Sequence, residues 1–390
     1  MKNTSKINPY NPLRKNRLNF LLFLSSTLAC LILLELFLRL TMQMPYSCIL
    51  YEKDDALSFK TKPNLNITFR TKEYEALYTT NNDGIREYTQ KKFNKAKGQQ
   101  RILTIGDSFT FGIGLNKEDT FQEKLKEKLY TILKKKVEVI NAGTSGYGAA
   151  QSFEFLKMNI KGYDPDIVIF SFYNNDVLDD REYSSLTVGN GCLIRKDISR
   201  LKKFLYTHSR TYLFYKSYKN SFSIGIEPVR NALYKFRNFL VRLGLSNGAK
   251  IMYPILENHT SDELNKAWEK TLQNIQEMDN LCKQENCTFV LVYIPSRIQV
   301  NPTFREEYIS RNNLNEADFD FEKPSRLLRE HGRAKEMIFV DLLEKFSKVN
   351  IDDNNLQIYN EYDPHFNKNG AEVFSTVLLN KLREIYKNEE

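Results

Sequence analysis

Two nearly continuous apolar runs constrain the fold of this chain more than any other feature of its sequence. Residues 166–172 read DIVIFSF and residues 288–294 read TFVLVYI, without the polar alternation of a half-exposed strand. Such strands are buried on both faces, as in parallel sheets that carry helices on each side. Three shorter runs at 101–105, 137–140 and 337–340 are predicted to be further strands.

Amphipathic segments alternate with these strands. Apolar residues recur at helical spacing in four segments that we predict as helices: 119–135, 149–160, 261–285 and 371–386. The first helix opens with Thr120 and Glu123 at the spacing of a capping box. The alternation predicts a three-layer α/β/α fold around a five-stranded, mostly parallel sheet.

The N-terminal region contains a different kind of apolar segment. Residues 20–34 read FLLFLSSTLACLILL, and the apolar character continues past Glu35 to residue 38. Nineteen helical residues span about 28 Å, close to the thickness of a bilayer core. We therefore expect a transmembrane anchor over residues 18–41. A cleaved signal peptide is the alternative, but no small-x-small cleavage motif comes after the run.

The charges that flank the anchor predict its orientation. The preceding residues carry basic side chains and no acidic ones: Lys2, Lys6, Arg14, Lys15 and Arg17. The positive-inside rule then places residues 1–17 in the cytoplasm as a tail and the bulk of the chain outside it, in the periplasm if the source is bacterial.

Composition defines two further regions. Residues 42–98 are polar and rich in turns, which predicts a juxtamembrane stalk that packs partly on the main domain, with a short extended piece at 67–70. Residues 99–390 are predicted to form that main domain, interrupted at about 185–258 by a basic helical insertion. Within it, 195–250 holds thirteen basic and two acidic residues, against a net charge of +9 for the whole chain.

The basic insertion has two interpretations. Its interleaved aromatic residues suit a surface that lies on anionic lipid, whereas a solvated helical face explains the same charge pattern. Nucleic acid is not an expected partner, because the domain is predicted to lie outside the cytoplasm. The five cysteines show no CxxC pair, so we expect scattered thiols and no zinc site.

Four motifs carry candidate chemistry, and three of them come directly after predicted strands. Ligand crevices in open α/β sheets lie at these carboxyl ends. Gly106-Asp107-Ser108-Phe109 comes after the first strand and offers a serine hydroxyl as nucleophile. Residues 141–148, NAGTSGYG, come after the second, and such glycine-rich loops expose backbone N–H groups that can stabilise an oxyanion.

The third and fourth motifs supply side chains that complete such a site. Asn174-Asn175-Asp176 comes after the third strand, where a side-chain amide can donate to the same oxyanion. Asp363-Pro364-His365 precedes the last helix, and an aspartate two residues away can fix the tautomer of a histidine that acts as general base.

In this order, the motifs resemble those of the SGNH/GDSL family of serine hydrolases. The strings TNNDGIRE, RILTIGDSFTFGIG and VEVINAGTSGYGAAQ are similar to a membrane-anchored branch of that family, and the resemblance covers about residues 79–386 apart from the insertion. It implies the flavodoxin-like SGNH hydrolase fold and assigns a triad and an oxyanion hole. The triad is Ser108, His365 and Asp363, and the oxyanion donors are Ser108, Gly146 and Asn175.

The sequence departs from the family pattern in two places. Tyr173 stands where the family's third motif usually has glycine, which leaves Asn174 as a second candidate for the amide donor. The last motif is one residue shorter than the usual Asp-x-x-His, so the role of Asp363 depends on the loop geometry.

The resemblance implies a membrane-anchored esterase that cleaves an acyl ester on a glycan or lipid, with no metal or cofactor. The same residues would serve an O-acyltransferase that modifies a cell-surface glycan, because the two reactions differ only in the acceptor. A catalytically silent, membrane-anchored binding protein is the third alternative. The sequence does not distinguish the acyl group or the acceptor.

Overall fold

The computed structural model describes residues 12–93, 95–220, 253–352 and 356–389, and it begins with a long helix. Helix α1 extends over Pro12–Thr41, and an 18-residue window within Asn19–Thr41 reaches a mean hydropathy of 2.4. Large apolar side chains along this segment are exposed, as expected of a helix that faces lipid. Its length and composition suffice to cross a membrane, a test that a signal sequence passes as well.

Two antiparallel hairpins form in the segment predicted as a stalk. β1 (Tyr51–Asp54) pairs with β2 (Ser58–Thr61), and β3 (Asn66–Arg70) pairs with β4 (Glu75–Thr79). The expected extended piece at 67–70 lies in β3. Buried side chains of both hairpins share one hydrophobic cluster with residues of the main domain, so this segment packs on the domain as part of its structure.

The remaining strands are, in chain order, β5 (Gln100–Gly106), β6 (Val137–Asn141), β7 (Ile167–Tyr173), β8 (Leu186–Gly189), β9 (Cys192–Arg195), β10 (Thr288–Ile294) and β11 (Ile338–Asp341). β8 and β9 form a separate hairpin, and the other five strands form one sheet in the order β11-β10-β7-β5-β6. Every neighbouring pair in that sheet is parallel. The five-stranded parallel sheet predicted from the sequence is confirmed, and its strand order is flavodoxin-like.

Helices cover both faces of the sheet. After the four-residue helix α2 (Ser108–Phe111), the helices are α3 (Phe121–Leu133), α4 (Ala149–Tyr163), α5 (Asp176–Glu182), α6 (Arg200–His208), α7 (Arg210–Asn220), α8 (Asp262–Gln284), α9 (Arg297–Val300), α10 (Pro302–Asn312), α11 (Lys323–Ala334), α12 (Leu343–Asp352) and α13 (Lys368–Glu389). α3 and α13 pack on one face of the sheet, and α4 and α8 pack on the other. Successive residues of β7 point to the two cores in turn: Val168 and Phe170 face α4 and α8, whereas Ile167 and Ile169 face α3 and α13. The three-layer α/β/α fold is confirmed.

The start of α3 corrects one local prediction. Thr120 does precede the helix, but its side chain makes no capping hydrogen bond. Its hydroxyl donates to the carbonyl of Lys117 at 2.7 Å, and Glu123 pairs with the ammonium group of Lys117. Glu123 therefore pairs with Lys117 and does not accept the backbone N–H that a capping box requires.

The insertion between β7 and β10 is described only in part. It begins with the β8–β9 hairpin, α6 and α7, while residues 221–252 of the predicted insertion lie outside the described residues. Cys192 in β9 forms a disulfide with Cys48, which corrects the expectation of scattered thiols. The two cysteines are 144 residues apart, so no local spacing could indicate the pair.

Candidate active site

The four sequence motifs meet at the carboxyl ends of the central strands. β5 leads into Ser108, and the neighbouring β7 leads into Asn174 and Asn175. β6 lies on the other side of β5, so the connections after β5 and β7 leave the sheet in different directions at this point. Such a switch point opens a crevice above the sheet.

The backbone before Ser108 turns too tightly for any residue but glycine. Gly106 has φ +144°, and a Cβ atom there would lie 2.7 Å from the carbonyl oxygen of Ser171. Asp107 then accepts the N–H of Phe109 at 2.9 Å and caps α2, so Ser108 becomes its first helical residue. The hydroxyl is thereby fixed at the edge of the crevice.

Ser108, His365 and Asp363 form a continuous relay. The Oγ of Ser108 lies 2.7 Å from Nε2 of His365, and Nδ1 of His365 lies 2.5 Å from Oδ1 of Asp363. An ionised carboxylate only accepts hydrogen bonds, so Nδ1 carries the proton and Nε2 is free to accept from the serine. This is the arrangement that a general base needs beside a nucleophile.

The short Asp-Pro-His spacing does not separate the aspartate from the histidine. Asp363 accepts the backbone N–H of His365 at 3.0 Å through the same oxygen that binds the ring, and its other oxygen accepts the hydroxyl of Tyr74 at 3.1 Å. Burial alone would raise the pKa of Asp363, but the neighbouring His365 and these hydrogen bonds lower it below the usual value. The group therefore stays a carboxylate.

A glutamate outside the four sequence motifs holds the loop that carries Asp363. The carboxylate of Glu73 accepts the backbone N–H groups of Glu361, Tyr362 and Asp363 at 2.5, 2.9 and 2.8 Å. Glu73 and Tyr74 both belong to the β3–β4 hairpin, 290 residues before the loop they support. No motif marks them, because their role depends on a contact that only the fold creates.

A second supporting residue, Arg86, contacts the segment that comes after Ser108. The fully buried guanidinium of Arg86 donates to the carbonyl oxygens of Phe111 and Gly112 at 2.6 Å each, and to that of Leu115. These carbonyls belong to the end of α2 and to the loop that comes after it. Arg86 thus fixes the end of the short helix that begins with Ser108.

Two residues that line the pocket, Ser108 and Gly146, have backbone N–H groups without a protein acceptor among the described residues. Gly146 lines the same pocket as Ser108 and has φ +83°, which glycine adopts without strain. The N–H groups of Ser108 and Gly146 donate to no acceptor within the described part of the chain. Both are available to a ligand oxygen.

The structure separates the two candidate amide donors. Both hydrogens of the Asn174 amide are used, because its Nδ2 donates to Gln299 at 2.7 Å and to Ser296 at 3.1 Å. The Nδ2 of Asn175 donates to Asp179 at 2.6 Å, which leaves its second hydrogen for a ligand in the pocket that it lines. Of the two amides, that of Asn175 is therefore the one with a hydrogen left for a ligand.

Acidic residues around the pocket are shifted toward their neutral forms. Burial, together with the neighbouring carboxyls of Asp107 and Asp180, raises the pKa of Asp179 well above its usual range. Burial also raises the pKa of Asp107 to about 6, against the opposing effect of nearby hydrogen bonds and His365. At neutral pH Asp179 is therefore held in its neutral form, whereas Asp107, whose pKa lies below 7, is mostly ionised.

The pocket is small and has apolar walls. Its volume is about 310 Å³, at the lower end of the range for small-molecule sites. Tyr46, Leu178, Tyr253, Ile255 and Pro364 line it around the hydroxyl of Ser108. A short acyl group would fit a space of this size.

Comparison with known proteins gives a likeness to solved structures. No protein-family model matches the sequence, and no curated protein matches it. An acetyl xylan esterase is 14% identical with a TM-score of 0.41, over 72% of this chain and 98% of its own. A GDSL-like lipase from Bacteroides thetaiotaomicron is 11% identical with a TM-score of 0.38, over 75% of this chain and 91% of its own. A psychrotrophic esterase from Pseudoalteromonas sp. is 12% identical with a TM-score of 0.38, over 74% of this chain and all of its own.

Identities and TM-scores this low carry no evidence about the reaction. The assignment of a function therefore rests on the geometry of the site.

Proposed function

We propose that this protein is a serine esterase in which Ser108 attacks the carbonyl carbon of an acyl ester. The observation that carries the proposal is the relay from Ser108 through His365 to Asp363, with contacts of 2.7 and 2.5 Å. A nucleophile, a base within hydrogen-bonding distance and a residue that orients the base are the parts that acyl transfer requires.

In the proposed mechanism, His365 takes the proton of Ser108 as the hydroxyl oxygen bonds to the carbonyl carbon. The resulting oxyanion accepts hydrogen bonds from the N–H groups of Ser108 and Gly146 and from the amide of Asn175. His365 then gives its proton to the leaving alcohol, and the acyl group stays on Ser108. In the second half of the reaction, His365 takes a proton from water as the water oxygen bonds to the acyl carbon. The bond to Ser108 then breaks, and His365 returns the proton to the serine oxygen as the acid leaves. Asp363 stabilises the imidazolium that forms in each half.

We also propose that the catalytic domain is anchored in a membrane and lies outside the cytoplasm. The apolar helix α1 and the five basic residues that precede its apolar segment support this topology. The disulfide between Cys48 and Cys192 supports it independently, because disulfides persist in oxidising compartments and are rare in the cytosol.

Hydrolysis of soluble esters tests the proposal. The detergent-solubilised protein should hydrolyse short-chain nitrophenyl esters, Ser108→Ala should abolish turnover, and His365→Ala should cost nearly as much. The double variant should be little worse than either, because triad members act as a unit. Full activity of Ser108→Ala would reject the assignment. Covalent modification of Ser108 without hydrolysis of any ester would instead favour transfer to another acceptor.

A further inference from the structure

The C-terminal part of α1 is bound to the insertion through the partly buried carboxylate of Glu35. Glu35 accepts the backbone N–H groups of Arg210 and Thr211 at 2.9 Å each, and the hydroxyls of Ser209 and Thr211 at 3.1 and 2.9 Å. One turn later, Arg39 pairs with Glu35 at 2.9 Å and donates to the carbonyl of His208 at 2.5 Å. We call these contacts between Glu35, Arg39 and residues 208–211 the anchor latch.

The anchor latch explains how Glu35 is accommodated within the apolar helix, six residues before its end. A carboxylate near the end of a membrane helix is costly unless it is paired. Here it pairs with Arg39 and caps the N-terminus of the 11-residue helix α7, where a negative charge is favourable. α7 is thereby attached to the anchor at a fixed point.

The linker after the anchor is also tied to the domain. The Gln43 amide donates to the carbonyl of Thr68 at 2.9 Å and accepts the N–H of Arg70 at 3.2 Å, both in β3. Five residues further on, Cys48 is joined to Cys192 in β9. The helix and the catalytic domain are therefore connected at several points, and the linker has little freedom to swing.

These ties limit the distance between the pocket and the membrane. Tyr46 lines the pocket and comes five residues after Thr41, the last residue of α1. Five residues extend at most about 18 Å, so the wall of the pocket lies within that distance of the helix end.

The helices beside the anchor have side chains suited to the lipid headgroup region. Leu201 and Phe204 on α6 are 68% and 57% exposed, and the exposed Lys202 and Lys203 lie between them. On α7, Tyr215 is 55% exposed. Exposed apolar and aromatic side chains among lysines are typical of helices that lie in a membrane interface.

We propose that the anchor latch holds the pocket at the bilayer surface, so that the substrate is an ester carried by an amphiphile of the same membrane. This inference rests on the esterase function proposed above. A tether that swung freely would reach esters in solution or on other membranes equally well, whereas a fixed pocket favours esters at one height above its own bilayer.

Vesicle experiments test the inference with the full chain. The protein is reconstituted in phosphatidylcholine–phosphatidylglycerol vesicles, and a fluorogenic acyl ester on a lipid is placed either in those vesicles or in a second, protein-free population. We expect turnover in the protein's own vesicles to exceed that in the second population by at least about tenfold, because the membrane raises the effective concentration of a correctly placed ester. Equal rates in the two populations would overturn the inference.

A variant separates the anchor latch from the chemistry. Glu35→Ala should lower hydrolysis of the lipid-borne ester in its own vesicles by about tenfold, because orientation is lost, while a water-soluble ester with the same acyl group is hydrolysed as before. Glu52→Ala, which removes a partly exposed carboxylate paired with Lys60 in the β1–β2 hairpin, is the matched control and should change neither rate. The milder Glu35→Gln keeps the shape of the side chain and should fall between Glu35→Ala and the wild type.

The outcomes distinguish the inference from the function on which it rests. Equal rates for Glu35→Ala and the wild type on the lipid-borne ester, or loss of both activities together in Glu35→Gln, would overturn the role of the anchor latch. Hydrolysis of the soluble ester with no hydrolysis of any lipid-borne ester would overturn the substrate class and leave the esterase function intact. A wild type that hydrolyses neither ester would reject the esterase function itself.

Discussion

Truncation of Asn175 should lower kcat while it leaves folding and substrate binding nearly intact. One amide hydrogen of Asn175 is bound to Asp179 at 2.6 Å, and the other is left for an oxyanion in the pocket. Loss of a single oxyanion donor costs about 3–4 kcal/mol at the transition state, or about 10² to 10³ in kcat. KM should change less, since this contact strengthens only as charge develops on the oxygen.

Asn174→Ala is the matched comparison, because the neighbouring amide has a different set of partners. Asn174 donates to Ser296 and Gln299 and accepts the hydroxyl of Tyr293 at 2.9 Å, all within a buried network. Its removal leaves buried polar groups without partners, at about 1–3 kcal/mol each. We therefore expect Asn174→Ala to lower the melting temperature clearly and kcat by less than about tenfold.

Steady-state kinetics on a soluble ester and thermal unfolding in detergent measure both variants. We predict a large loss of kcat with near-normal stability for Asn175→Ala, and the reverse pattern for Asn174→Ala. If Asn175→Ala keeps kcat within about threefold of the wild type while Asn174→Ala loses activity with normal stability, the two assignments are interchanged and the interpretation of the network is wrong.

Four further predictions concern Asp363, the loop that Glu73 holds, the pH dependence of stability and the topology. Asp363→Asn should lower kcat by about 10² to 10⁴, because an amide cannot hold the required tautomer of His365; a loss below about tenfold would show that the short spacing leaves the aspartate idle. Glu73→Ala should lower kcat by about tenfold as the 361–363 loop loosens, with partial recovery in Glu73→Gln, and unchanged kinetics would remove Glu73 from the site. Burial raises the pKa of Asp180 from 3.8 to about 6, so between these pH values the folded state keeps a proton that the unfolded state releases. The stability that this proton provides is full below about pH 4 and is lost as the pH rises through about 6. Asp180→Asn should therefore remove a fall in stability of at most about 3 kcal/mol between about pH 4 and 7, seen in thermal unfolding in detergent, and a fall as steep as in the wild type would contradict this sign. Protease added to spheroplasts should digest the chain after Tyr51, whereas full protection, or a soluble mature form that lacks residues 1–45, would contradict the proposed orientation.

The sheet and its two helical layers were predictable because each strand and helix carries its own periodic signal. β7 and β10 are apolar except for Ser171 and Thr288, and they are buried on both faces apart from the first residue of β10. The apolar residues of α8 recur on one side, as the sequence predicts. The motifs could be placed near one another for the same reason, since parallel strands bring their carboxyl ends to one edge of the sheet.

The residues that support the site could not be predicted from local patterns. Glu73 and Tyr74 lie in a polar hairpin that is typical of a stalk in composition, and their partners are almost 300 residues away in the chain. Glu35 stands out in the sequence as a charge in an apolar run. Its partners in residues 209–211 belong to the distant insertion, and nothing in the sequence of that insertion indicates a contact with α1. Such contacts arise when separate elements pack, so no spacing in the sequence encodes them.

The choice between Asn174 and Asn175 shows the same limit at closer range. Asn174 and Asn175 are identical neighbours after the same strand, so the sequence pattern does not distinguish them. The glycine of the family's motif would mark the position of the donor, but Tyr173 stands in its place here. The structure separates them by their partners: Gln299 and Ser296 come from the segment after β10, and Asp179 comes from α5.

Covalent labelling of Ser108 tests the central claim most directly. A fluorophosphonate reacts with a serine only when a base activates it, and mass spectrometry of the digested protein identifies the modified peptide. We predict one phosphonate on the peptide that contains Ser108 in the wild type, much slower labelling in His365→Ala, and no labelling of that peptide in Ser108→Ala. A wild-type protein that carries the label on another residue, or that carries none while folded, would contradict the assignment of Ser108 as the nucleophile.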